Sequence, residues 1–257
     1  MIHLEPHGAD VLVGSGPRYP WGGLYGGQIV AQALRAASST VDIAFTPHSL
    51  RAYFIRAGDH QEPVRYEVDR IRNGGSFCTR RVVARQAVGA ILNLEASFHV
   101  AEESLSVQTV SLDPSTPGPE GIDDDSWTTA FERRFVTEPP GAGGRARCWF
   151  RMAAPLGNDP LLHATALAYV SDDLPTDAVV RVMGIGQEAF DGGWFSVSLD
   201  HTIWFHRPLR ADEWHLQDIT CHGFHSGRGL AIGNVFTPDG AHVATVAQEV
   251  LVRRRRK

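Results

Sequence analysis

The sequence predicts an α+β chain made of two tandem copies of one unit, each a helix wrapped by an antiparallel sheet, with the copies pairing as an internal pseudo-dimer. Three observations carry this expectation. Each half reads as a largely helical segment followed by four consecutive strand-like runs. The halves also share phrases: His48-Ser-Leu-Arg-Ala-Tyr-Phe-Ile-Arg parallels His201-Thr-Ile-Trp-Phe-His-Arg, and Leu94-Glu-Ala-Ser-Phe-His-Val parallels Val246-Ala-Gln-Glu-Val-Leu-Val. Position 48 maps to 201 and 97 to 248, offsets of 153 and 151 residues. Finally, a helix set against a meander of strands buries its apolar stripe most simply if the sheet curls round it. The edge left open is then covered by the second copy.

The elements follow in order. After a Gly/Pro-rich opening, Gln28-Ile-Val-Ala-Gln-Ala-Leu-Arg-Ala-Ala has the alanine and leucine content and the spacing of a helix over about 27–39. β-Branched and aromatic runs predict strands at about 47–56, 63–72, 76–86 and 90–100, broken by turn signals such as Asn73-Gly74-Gly75. Residues 102–126 carry Pro114, Pro117, Pro119 and the acid run Asp123-Asp124-Asp125, and read as a linker between domains at 1–101 and 127–257. The second block opens with strand-like Phe131–Val136 and Arg145–Met152. A helix then runs from Pro160 to about Asp172, with Asp159 as N-cap and Pro160 at its first position. Strands are expected at about 195–206, 213–222, 229–237 and 242–252.

Composition narrows the function. The 257 residues hold 24 Lys+Arg against 29 Asp+Glu, a net charge of −5 that argues against a sequence-independent nucleic-acid binder. Apolar residues at 43% are enough for a sizeable core without metals or disulfides. Cys78, Cys148 and Cys221 are widely spaced, which suits a reducing cytoplasm. The first residues lack a signal-peptide pattern, and no apolar run is long enough for a membrane span. The basic Arg253–Lys257 end reads as solvated.

Gly184-Ile-Gly-Gln-Glu-Ala189 matches a dinucleotide fingerprint after strand-like Val179–Met183, but Gly192-Gly193 leaves no room for the helix it needs. Neither G-x-S-x-G nor a Walker A pattern is present. His201 with His206, and His222 with His225, stand at odd separations in strand-like segments and so face opposite sides, which sets a metal site aside.

Two residues stand out on pattern. Asp172 continues the stripe of Leu161, Thr165 and Ala168, so it should face inward at a helix C-terminus, where both the macrodipole and burial oppose a carboxylate. A solvated, fraying helix end is the alternative. Gln248 shares an apolar strand face with Ala244, Val246, Val250 and Val252, and a buried amide must find partners. A structural hydrogen bond and a catalytic role fit it equally. Ser198, in Phe195-Ser-Val-Ser-Leu-Asp200, reads alone as a polar-face residue.

The phrases then become specific. Leu24-Tyr-Gly-Gly-Gln-Ile-Val-Ala-Gln-Ala-Leu, Pro47-His-Ser-Leu-Arg-Ala-Tyr-Phe-Ile-Arg-Ala-Gly-Asp, Gly75-Ser-Phe-Cys-Thr-Arg-Arg-Val, Leu167-Ala-Tyr-Val-Ser-Asp172, Ser198-Leu-Asp-His-Thr-Ile-Trp-Phe-His-Arg-Pro and Ala247-Gln-Glu span nearly the whole chain outside the linker. Together they resemble the acyl-CoA thioesterase II family, whose members are double-hotdog proteins. The resemblance implies acyl-CoA hydrolysis without a cofactor or metal, a homo-oligomer, and a nucleophilic water held by an Asp, a hydroxyl and a Gln. In this sequence those positions are Asp172, Ser198 and Gln248. The start of the first helix, at Gly27 and Gln28, offers backbone N–H groups as an oxyanion site. Arg80, Arg81 and Arg228 are nominated for the CoA phosphates. Asp173 after Asp172, Val250 where the family has Gly, and Leu50-Arg51 depart from the family pattern. A non-catalytic acyl-CoA-binding module and a hotdog enoyl-thioester hydratase are the alternatives.

Overall fold

The structure is a computed structural model and describes residues 2–139, 142–185, 190 and 193–255. The fold is α+β, and the strand pairs within each unit run antiparallel. It divides into two compact units that interleave in sequence. Met1–Ser106, Leu156–Tyr169 and Thr202–Phe205 form one, and Val107–Pro155, Val170–His201 and His206–Lys257 form the other. The chain was expected to divide at residues 102–126, so the compact units are cut differently from the halves of the sequence.

In the first unit, β1 (Glu5–Pro6), β2 (Val11–Gly14), α1 (Gly26–Ser38), β3 (Phe45–Phe54), β4 (Val64–Asn73), β5 (Phe77–Gln86) and β6 (Gly89–Val100) follow one another. The strands lie in the order β1-β2-β4-β5-β6-β3, and α1 packs against β2 to β6. Almost every α1 residue from Gly27 onward is buried, Arg35 excepted, which is the burial of a helix enclosed by its sheet. The alanine-rich sequence allows it, because small side chains let strands approach on several sides. β1 and β2 have no counterpart in the sequence reading. They are too short to show alternation.

The second unit holds β7 (Phe131–Phe135), β8 (Arg145–Met152), the end of α2 (Pro160–Val170), α3 (Leu174–Val182), β9 (Trp194–Ser198), the start of β10 (Asp200–Phe205), β11 (His215–His225), β12 (Arg228–Phe236) and β13 (His242–Arg254). The strand order is β13-β12-β11-β8-β7, with β9 also paired to β13. Residues 107–126 have no regular element, yet they are not a free spacer. Leu112 and Ile122 pack against Trp149 and Leu216, and the Trp149 indole donates to Pro117 O at 2.9 Å.

Three sequence expectations are corrected here. Residues 179–182, read as strand-like, belong to α3. Its β-branched run imitates a strand, but Leu174, Ala178 and Val179 bury one helical face. The single strand expected over 195–206 is two strands broken at Leu199. The stripe that marked Asp172 is no stripe either, because α2 is buried on every side from Thr165 to Val170. Such a helix carries no periodic signal.

Arg253 and Arg254 are exposed, as a solvated end should be, and they end β13 with their guanidinium groups 5.5 Å from the rings of Phe195 and Trp194. Residues 256–257, and 186–189 of the rejected fingerprint, lie outside the described residues. Among the described residues no helix is long and apolar enough to cross a membrane.

Candidate active site

Strand register explains how Ser198 meets Gln248. Ser198 lies opposite Val250 in the β9–β13 pairing. Gln248, two residues along β13, therefore points to the same face one diagonal step away. The burial of β13 alternates as expected, with Val246, Gln248, Val250 and Val252 inward. At Leu199 the strand breaks. The Leu199 N–H donates to Glu249 O at 2.8 Å, and the Glu249 N–H donates to Asp200 Oδ1 at 2.7 Å. In an unbroken strand positions 198 and 201 would face opposite ways. The break turns both Ser198 and His201 toward Gln248.

Asp172 comes from a different kind of element. α2 ends at Val170, whose carbonyl accepts the Gln217 amide at 3.4 Å. The chain turns through residues 171–173 and starts α3 at once. Asp172 therefore does not end a helix, and the C-terminal dipole expected to oppose its charge is met by a helix N-terminus two residues on. Asp173 pins this turn: its carboxylate accepts from the Trp127 indole at 2.6 Å and pairs with Arg133 at 2.8 Å.

The polar groups form one row. Ser198 Oγ donates to Asp172 Oδ1 at 2.9 Å, and Gln248 Nε2 donates to Ser198 Oγ at 2.8 Å. Behind them, Gln248 Oε1 meets His201 Nδ1 at 2.5 Å, and His201 Nε2 meets Ser171 Oγ at 2.9 Å. Gln248, His201 and Ser171 are fully buried, and Asp172 is 6% exposed. Burial pushes the His201 imidazole down to about 4, so it is neutral near pH 7. The three residues selected from sequence are thus hydrogen-bonded in series within one unit. His201 and Ser171 were missed as partners, although His201 alternates with Ile203 on the buried face of β10.

The family model for the acyl-CoA thioesterase N-terminal domain matches residues 16–99, and the model for the acyl-CoA thioesterase C-terminal domain matches residues 107–252. The chain belongs to the acyl-CoA thioesterase family. Its relatives include human acyl-coenzyme A thioesterase 8, 32% identical over 98% of this chain and 88% of that protein. Acyl-CoA thioesterase 2 of Haemophilus influenzae is 31% identical over 90% of this chain and 87% of that one. Among solved structures, the acyl-CoA thioesterase II TesB2 from Mycobacterium marinum superposes with a TM-score of 0.85 at 36% identity, covering 99% of this chain and 97% of that one. A hot dog fold protein from Alicyclobacillus acidocaldarius, at 21% identity and a TM-score of 0.82, shows the fold alone. The chain is an enzyme of the thioester hydrolase class with a hotdog-type α+β fold.

The thioesterase's other nominated residues fare unevenly. Gly27 and Gln28 open α1, but the Gln28 N–H donates to Tyr25 O at 3.1 Å, so it is not the free oxyanion donor expected. The Gln28 side chain is buried and accepts the Tyr19 hydroxyl at 2.6 Å. A Cβ on Gly27 would lie 2.1 Å from Tyr169 O, a carbonyl that already accepts the Tyr25 hydroxyl at 2.8 Å. Because backbone cannot step aside cheaply, Gly27→Ala is expected to cost about 1–3 kcal/mol and lower the Tm. An unchanged melting curve would show that α1 yields at this contact.

Arg80 is not a phosphate ligand. It is 1% exposed, and all five guanidinium donors are taken by Thr40 Oγ1 and O, Arg72 O, Thr79 O and Asn73 Oδ1 at 2.7–3.0 Å. Arg81 and Arg228 are exposed and pair with Asp69 and Glu249.

Proposed function

We propose that the thioesterase hydrolyses acyl-CoA to free fatty acid and CoA by direct attack of a water whose proton passes to Asp172. The observation that carries this reading is the Asp172–Ser198–Gln248 row, buried at Asp172 and Gln248 and half-buried at Ser198, in which hydroxyl and amide both point their donors toward the carboxylate. A thioester is already activated, so water needs a proton acceptor and a fixed position rather than a covalent relay. Asp172 takes a water proton as the oxygen bonds to the carbonyl carbon. The C–S bond then breaks, and the proton leaves with the CoA thiol. Ser198 and Gln248 hold the carboxylate in place, and Ser198 is not acylated.

The hydratase alternative wants an imidazole facing the substrate beside a carboxylate. Here the His201 ring nitrogens are engaged by Gln248 and Ser171. Three unpaired cysteines support work in a reducing, cytoplasm-like compartment, and association into a homo-oligomer completes the reading.

A thiol-trapping dye assay across acyl-CoAs from two to eighteen carbons tests the activity. Free thiol should appear in step with substrate loss for part of that range. Saturable acyl-CoA binding with no thiol released from any chain length would favour the binding module instead.

A further inference from the structure

We propose that His201, anchored by Ser171, is a positioning residue that sets the direction of the hydrogen-bond row ending on Asp172. The inference rests on the reading of Asp172 as the proton acceptor.

The row has five members and four links: Ser171–His201, His201–Gln248, Gln248–Ser198 and Ser198–Asp172. Each neutral member can donate in only one direction along it, so the links are coupled. If His201 carries its proton on Nδ1, it donates to Gln248 Oε1, which turns the amide nitrogen toward Ser198. The Ser198 hydrogen is then left to point at Asp172, which is an acceptor and can take a proton from water. At the far end, the bare Nε2 accepts the Ser171 hydroxyl. If the proton sits on Nε2, every link reverses. The Gln248 carbonyl then faces Ser198 and takes its hydrogen, and Asp172 can keep its link to Ser198 only by carrying a proton itself. An Asp172 in that state is no base.

Among the neutral members, nothing else in the row makes the choice. An amide and a hydroxyl each fit either direction, and Gln248 can exchange its ends by a simple flip. The imidazole is the member whose proton position distinguishes the two states. It is neutral because it is fully buried, and its ring is held from both sides. With His201 removed, Gln248 Oε1 would be buried without a donor, and the flip that relieves it gives the reversed row.

The direct test is the ring itself. A long-range proton–nitrogen correlation spectrum of the folded enzyme should show His201 protonated on Nδ1 and bare on Nε2. The opposite tautomer overturns the proposal. Kinetics on variants provide the functional arm. His201→Phe should lower kcat about 10- to 100-fold with KM changed less than about threefold. His201→Asn, whose amide can place a donor near the Nδ1 position, should recover most of that loss. Ser171→Ala, which leaves the imidazole in place, should lower kcat about 3- to 10-fold, and it serves as the second variant should His201→Phe fail to fold.

Wild-type kcat in His201→Phe, or in Ser171→Ala, overturns the inference while an inactive Asp172→Asn leaves the base assignment standing. Equal losses in the Phe and Asn variants, both melting as wild type, overturn it too. A fully active Asp172→Asn overturns the underlying reading.

Discussion

An Asp172→Asn enzyme is expected to release CoA from acyl-CoA at least ~100-fold more slowly than wild type, with KM and Tm nearly unchanged. The exchange is close to isosteric. The Asn carbonyl oxygen can still accept the Ser198 hydrogen that Asp172 Oδ1 now accepts at 2.9 Å, so local packing and the row behind it survive. What disappears is the capacity to take a proton from water. Removing the helpers should cost less: Ser198→Ala and Gln248→Ala each leave the carboxylate in place but loosely held, and about tenfold is expected for either. Stopped-time assays of free thiol, with melting curves as a folding control, read all three. An Asp172→Asn enzyme within tenfold of wild type would remove the carboxylate from the chemistry.

The second large effect is on stability against pH, and it concerns groups with opposite signs. Burial pushes His201 and His215 down to about 4. Between roughly pH 4 and 6.5 the unfolded chain therefore binds two protons that the folded chain refuses, and stability falls as pH falls through that window. Asp177 on α3 acts the other way. Burial, and then the charge of Asp173, push its carboxyl up to about 7, so over the same window the folded chain holds a proton that the unfolded chain has released. The three together leave a net one-proton dependence, on the order of 1 kcal/mol of stability gained per pH unit on going up from pH 4 to 6.5.

Asp177→Asn removes the opposing group. The gain of stability with pH should then steepen by about one proton's worth, on the order of 1 kcal/mol per pH unit, and the variant should exceed wild type most at pH 8. His48, His206 and His242, lowered by burial, and Asp200, raised by burial, are common to both proteins. The difference in slope therefore isolates Asp177. Denaturant midpoints at half-unit pH steps measure it, and parallel profiles for the two proteins would show that the Asp177 carboxyl is ionised throughout.

Much of the fold was legible in sequence because its signals are local. The alanine-rich helix read over 27–39 is α1 at Gly26–Ser38, and the four strands after it fall within two residues of β3 to β6 at each end. These segments show strong periodicity or strong composition, and neighbouring strands confirm what each prefers alone. α3 was hidden because Val179, Val180 and Val182 favour strand by their own shape, and only the packing of α3 against β8 and β11 to β13, through Leu174, Ala178 and Val179, makes the segment helical. Arg80 misled for a related reason. A basic residue in a strand suggests a surface charge, and nothing local shows that five acceptors from three segments surround it.

In the site, the alternation of β13 was enough to mark Gln248 as a buried amide in need of partners. The motif resemblance supplied Ser198, and the same motif string contained His201 without indicating its place.

By itself the sequence determined the α+β class, the tandem repeat, the acyl-CoA thioesterase membership and the residue types available for chemistry, since each of these follows from periodicity, composition or motif. Tertiary structure alone decided which side chains touch. Ser198 and His201, three residues apart, would point away from each other in a regular strand, and the break at Leu199 aims both at Gln248. Asp172 reaches the same row from a turn between two helices. Contacts between residues 26 to 50 positions apart depend on how strands register and where they bend, and those are settled by packing across the whole unit rather than by any local preference of the chain.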